Sequence, residues 1–169
     1  MKTKNTTQKI AVAALLAALT CVATMVIKIP SPMKGYLNLG DCVVLTAGWM
    51  LSPVYGFLAA GLGSALADLF SGYAVYAPAT FLIKGLMALV AWFVYKILCK
   101  KIYSPVSRII SGILAEIIMI SGYYIFEGFM YGFSESLVNV PANAVQGLAG
   151  LVLGFVLIQI LKKTRINFQ

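Results

Sequence analysis

Apolar residues along this chain gather into long runs, and the polar residues between them collect at turns rich in proline, glycine and tyrosine. The first run extends from Lys9 to Ile29; as a helix, at about 1.5 Å per residue, it covers the roughly 30 Å of hydrocarbon in a bilayer. Within it Ala13 and Ala17, and again Ala14 and Ala18, stand four apart. Small residues at that interval let another helix approach closely where hydrophobicity gives no preference between lipid and protein. Residues 30–41 hold two prolines and two glycines, with Lys34, Tyr36, Asn38 and Asp41 among them, which breaks the helix and predicts an external loop. Cys42 to Leu51 and Val54 to Phe70 are together too long for one span and are interrupted at Ser52-Pro53, so a helical hairpin with a very short turn is expected. Its second arm is crowded with Gly56, Ala59, Ala60, Gly61, Gly63, Ser64, Ala65 and Ala67, and such a helix is expected at the centre of a bundle. After the tyrosine-rich turn from Ser71 to Pro78, a fourth helix runs from Pro78, a residue suited to a helix start, to about Leu98. A fifth runs from about Val106 to Glu127 and a sixth from about Leu137 to Leu161, separated by the aromatic loop from Gly128 to Ser136.

Composition agrees with that pattern. A chain of 169 residues that is 61% hydrophobic and 11% charged exposes too much apolar surface to be soluble at this size. The expectation is an all-α polytopic membrane protein, one domain over residues 1–169. The net charge of +8 resides mostly in three groups beside apolar runs: Lys2, Lys4 and Lys9; Lys96, Lys100, Lys101 and Arg108; Lys162, Lys163 and Arg165. Short cytoplasmic segments are enriched in lysine and arginine, so six transmembrane helices with both termini cytoplasmic satisfy all three groups. That distribution also speaks against a nucleic-acid partner, which calls for one basic stripe. The first run continues without a small-residue cleavage site and reads as a retained helix.

Several chemistries lack their residues. There is no histidine, and Cys21, Cys42 and Cys99 have no paired spacing, so neither a metal site nor a Cys-His nucleophile is expected. Gly61-Leu-Gly63 lacks the third glycine of a dinucleotide loop, and no phosphate-binding loop with a following lysine occurs; no cofactor is expected, and no enzyme.

What the chain does carry is polar residues inside apolar runs. Lys84 is the most expensive, since a lysine at the centre of a membrane helix costs about 2.5 to 3.5 kcal/mol on insertion scales. Asp68 lies at comparable depth when counted from the same loop. Glu116, Tyr123 and Glu127, spaced by seven and eleven residues, fall near one helix face, while Asn139, Asn143 and Gln146 stand at i, i+4 and i+7. Together with Asn38, Asp41, Tyr76 and Thr80 these form an outer polar layer beneath aromatic loops. Amides, carboxylates, a cation and tyrosines suit a small polar heteroaromatic molecule. Structural roles compete: Asp41 as a helix cap, Asp68 with Lys84 as a buried ion pair, the asparagines as ties between helices. Glu116, deeper and alone, suits either.

The segments Tyr36-Leu-Asn-Leu-Gly-Asp41, Tyr76-Ala-Pro-Ala-Thr80 followed by Lys84-Gly85, and Pro141-x-Asn143-x2-Gln146-Gly147, in this order behind an alanine-rich first helix, resemble the S component of energy-coupling-factor (ECF) vitamin transporters. The resemblance spans essentially the whole chain and lies toward the riboflavin, hydroxymethylpyrimidine and pyridoxine branch. It implies a multi-pass protein of a bacterial plasma membrane that binds a vitamin from outside, has no energy source of its own, and works with a transmembrane T subunit and two ABC ATPases. The expected substrate-binding residues are Asn38, Asp41, Tyr76, Thr80, Lys84, Tyr123, Glu127, Asn139, Asn143 and Gln146; the resemblance assigns Ala13, Ala14, Ala17 and Ala18 to the face that meets the T subunit. The competing expectation is an autonomous secondary transporter with Glu116 or Asp68 as a proton relay.

Overall fold

Residues 2–31 and 35–163 are described by the structure, a computed structural model; Lys34 and Arg165 lie outside the described residues. The apolar runs become helices α1 (Lys2–Val26), α2 (Gly40–Met50), α3 (Pro53–Phe70), α4 (Ala77–Leu98), α5 (Ser104–Tyr131) and α7 (Val140–Lys163). Between α5 and α7 lie a single turn, α6 (Phe133–Ser136), and a 3-10 turn, Leu137–Asn139. The loop after α1 folds into a minimal antiparallel hairpin of β1 (Ile29–Pro30) and β2 (Tyr36–Leu37), with Ile29 opposite Leu37 and Pro30 opposite Tyr36.

Five helical stretches among the described residues are long and apolar enough to cross a membrane: Thr6–Val26, Pro53–Phe70, Ala77–Leu98, Ser104–Tyr131 and Phe133–Lys163. The sixth helix, α2, has only 11 residues, about 16 Å at helical rise. Every residue of it except Cys42 is buried, and it packs against α1, α3, α4 and α7. Its short length and near-complete burial make α2 the axis of the bundle, a place the sequence pattern assigned to α3. In α3 the small residues serve three neighbours: a Cβ on Gly63 would stand 2.4 Å from the Ala17 carbonyl oxygen of α1, one on Gly61 2.6 Å from that of Phe81 in α4, and one on Gly56 3.4 Å from that of Ala47 in α2. Its fourth side is exposed apolar surface, including Leu58, Leu62, Leu66 and Leu69, as lipid contact requires.

The hairpin break at Ser52-Pro53 falls where expected, with Pro53 opening α3. The end of α5 does not: the helix passes Glu127 and stops at Gly132, whose φ of 109° favours glycine because it carries no Cβ.

The small-residue face of α1 divides. Ala13 is buried in an apolar cluster with Leu16, Val43, Ala47, Leu51 and Ala59, and Ala17 packs at its edge. Within this chain α2 and α3 already occupy the face of that pair. Ala14 and Ala18 point away from the bundle, among exposed Leu15, Leu19 and Val22.

Candidate binding cavity

The hairpin, the end of α3, the start of α4, the end of α5 and the start of α7 meet at one end of the bundle around a cavity open on one side. Ser31, Gly35, Tyr36 and Asn38 come from the hairpin, Asp68, Tyr73 and Tyr76 from α3 and the turn after it, Thr80 from α4, Tyr123 and Glu127 from α5, Asn143 and Gln146 from α7. Seven of the ten residues expected at a site are thus brought to one hollow: Asn38, Tyr76, Thr80, Tyr123, Glu127, Asn143 and Gln146.

Lys84, Asp41 and Asn139 are not in its wall, and each has a physical reason. Lys84 and Asp41, 2% and 0% exposed, form a buried ion pair. Gln146 completes it by donating from Nε2 to Asp41 Oδ2 at 2.6 Å, while its Oε1 accepts the Asn38 N–H at 2.9 Å. Asp41 is therefore the counter-charge that Lys84 needs, and at the start of α2 it is Asn38 Oδ1 that accepts a backbone N–H, that of Gly40 at 2.9 Å. The pairing of Lys84 with Asp68 is corrected accordingly: Asp68 instead accepts from the Tyr36 hydroxyl at 2.7 Å. Asn139, in the 3-10 turn, donates to Glu127 Oε2 at 2.9 Å and so holds a wall residue from behind. The three amides of the last helix do not act as one face.

Thr80 and Tyr123 share a hydrogen bond of 3.1 Å across the wall, and the Lys84 ammonium lies 5.4 Å from the Tyr123 ring centroid, a favourable cation–π placement. Toward the mouth, Tyr36 and Tyr73 have ring centroids 4.7 Å apart, and Tyr76 stands edge-on to Phe126 at 5.3 Å. Two wall atoms, Asp68 Oδ2 and Tyr76 Oη, are buried without a hydrogen bond. Such groups are costly unless something pairs with them.

Ser31, Gly35, Tyr36, Asp68 and Tyr73 enter the wall beyond the expected set. The density of tyrosine in the two loops signals Tyr36 and Tyr73; nothing local signals Ser31 or Gly35, which the hairpin register places there. Glu116 lies outside the wall, deeper in the bundle, 5% exposed and with neither carboxyl oxygen hydrogen-bonded.

Comparison with known proteins agrees along the length of the chain. The model of the ECF-type riboflavin transporter S component family matches residues 4–163. An uncharacterised protein of Pyrococcus woesei is 36% identical over 145 residues, 84% of this chain and 93% of that protein. The thiamine precursor transporter HmpT of Lactococcus lactis subsp. cremoris (strain MG1363) is 28% identical, covering 98% of this chain and 94% of that one. Among solved structures, the S component of a bacterial ECF transporter superposes with a TM-score of 0.77 at 26% identity, over 96% of this chain and 99% of the other. The S component for biotin from an ECF-type ABC transporter does so with a TM-score of 0.70 at 17% identity over 98% and 94%, a likeness of fold. The chain belongs to the ECF-type riboflavin transporter S component family, and is a multi-pass protein of the cell membrane for vitamin uptake.

Proposed function

We propose that this protein is the capture subunit of an ECF-type importer and holds a B vitamin or vitamin precursor, of the hydroxymethylpyrimidine, pyridoxine or riboflavin class, in the cavity between the hairpin and the ends of α3, α4, α5 and α7. The observation that carries this reading is the wall itself. Four tyrosines offer ring faces and edges, Asn143 offers an amide, and two buried polar atoms wait for partners, which is the chemistry that binds a small heteroaromatic ring.

In this reading the cavity opens outward and the chain crosses the membrane six times, the β hairpin and α2 together making the second crossing. Both termini and the basic groups at Lys96 to Arg108 and Lys162 to Lys163 then face the cytoplasm. Asn38, Tyr76, Thr80, Tyr123, Glu127, Asn143 and Gln146 contact the vitamin; Asp41, Lys84 and Asn139 support them. A T subunit and two ABC ATPases supply the work, and Ala14 and Ala18, with the exposed leucines beside them, are the part of α1 that meets the T subunit.

The test is calorimetric titration of the purified protein with hydroxymethylpyrimidine, pyridoxine and riboflavin, without nucleotide or ion gradient. One of them is expected to bind; retention of none would reject the capture role. A second reading, an autonomous proton-coupled transporter, draws on the unpaired Glu116 carboxyl. Uptake by this chain alone in proteoliposomes under a proton gradient would establish it, and the capture reading expects none.

A further inference from the structure

The charge of the cavity wall is one-sided. Among the described residues its only charged side chains are Asp68 and Glu127, 5% and 3% exposed. The nearest buried cation, Lys84, is committed to Asp41 beneath the wall. Lys28, toward the mouth, donates to Ser71 Oγ at 2.7 Å and lies 5.8 Å from the Tyr36 ring centroid.

The Asp68 carboxylate is not saturated from within. Asp68 receives one hydrogen bond, from Tyr36, and its Oδ2 has no partner. Glu127 receives the Asn139 amide on Oε2, while its Oε1 stands 3.6 Å from where a Cβ on the wall residue Gly35 would be. A buried carboxylate with a free acceptor calls for an N–H donor or a positive charge. An anionic group placed between two carboxylates, with no cation among the described wall residues to offset it, would be repelled in a medium where charges are poorly screened.

From this we infer that the site selects heteroaromatic ligands bearing an amino group or a protonated ring nitrogen, read by Asp68 with Glu127 on the facing side, and that it rejects phosphorylated or carboxylated forms of the same ring. The inference rests on the vitamin-capture reading and narrows it: the ring is stacked among tyrosines, and its donor edge faces Asp68.

Calorimetric titration of the purified protein tests it with four probes: 4-amino-5-hydroxymethyl-2-methylpyrimidine, the same ring with methyl in place of the amino group, its phosphate ester, and riboflavin. The aminopyrimidine is expected to bind at least about tenfold more tightly than the methyl analogue, which loses one charge-assisted hydrogen bond, and than the phosphate ester, which the carboxylates repel. Asp68→Asn should lower affinity for the aminopyrimidine about tenfold or more and shrink its advantage over the methyl analogue. A merely structural role for Asp68 would lower both affinities together and leave their ratio intact. Glu127→Gln carries the same comparison should Asp68→Asn not fold. Equal binding of amino and methyl forms, or tight binding of the phosphate ester or of riboflavin alone, would overturn the inference and leave vitamin capture standing. Binding of none of the probes, nor of pyridoxine, would overturn both.

Discussion

Beneath the cavity, Lys84, Asp41, Gln146 and the Asn38 N–H form a closed chain in which the ion pair is buried and both Asp41 oxygens are engaged. In the wall a few ångströms above, Asp68 keeps one oxygen without a partner and Tyr76 its hydroxyl. The two layers use the same residue types in the same half of the bundle, so composition does not distinguish them. Completion does. In the lower layer the polar groups satisfy one another, as a lone charge there would cost several kcal/mol; in the wall, the groups left incomplete mark where a ligand would finish the network.

The contrast is open to attack from either side. The largest effect is expected at the floor: Lys84→Met leaves Asp41 charged and buried without its partner, and should cost about 3 to 5 kcal/mol of stability. The double variant Lys84→Met with Asp41→Leu should regain much of it, and thermal unfolding in detergent measures both. If the single change costs no more than the double, the floor is not a coupled pair.

Smaller losses separate floor from wall. In Gly150→Ala the new Cβ would stand 2.6 Å from Asp41 Cβ and 3.2 Å from Glu116 Oε1, an overpacking expected to cost about 1 to 3 kcal/mol in unfolding. Asn143→Ala makes the opposite prediction: its side chain lines the cavity, so vitamin affinity should fall by about 1 to 3 kcal/mol while the melting temperature stays near that of the parent. A shift in melting without a shift in affinity would move Asn143 from the wall to the frame.

The least effect on stability is expected on α1. Ala14→Leu and Ala18→Leu, on its exposed side, should change unfolding by no more than about 0.5 kcal/mol and leave vitamin binding alone, yet reduce co-purification with a T subunit. Ala13→Leu, pushed into the cluster with Val43 and Ala59, should destabilise the chain itself. Should all three behave alike, α1 does not have two faces of different use.

Helix order, the hairpin break at Ser52-Pro53 and the gathering of polar residues toward one end were legible because each depends on local pattern: apolar run length, proline, and position relative to a loop. The partner of Lys84 was not. Counting turns from the loop they share puts Asp68 at the depth of Lys84, but Asp41, 43 residues away in sequence, reaches it because α2 is short and starts inside the bundle directly after the hairpin. Depth counted along one helix carries no information about where another begins. The same limit hid Ser31 and Gly35 as wall residues, since only docking of the hairpin against Asp68 brings them there. Asn139 was legible as a buried amide but not as the support of Glu127, because the 3-10 turn rotates it off the face that Asn143 and Gln146 share.

The most direct measurement is a side-by-side calorimetric titration of the parent and Asn143→Ala with hydroxymethylpyrimidine, pyridoxine and riboflavin, each protein checked for unchanged melting. The account predicts one vitamin bound at a single site in the parent and about tenfold or weaker binding in the variant. Equal affinity in both proteins, or heat from neither, would contradict the claim that this open wall is where the ligand sits.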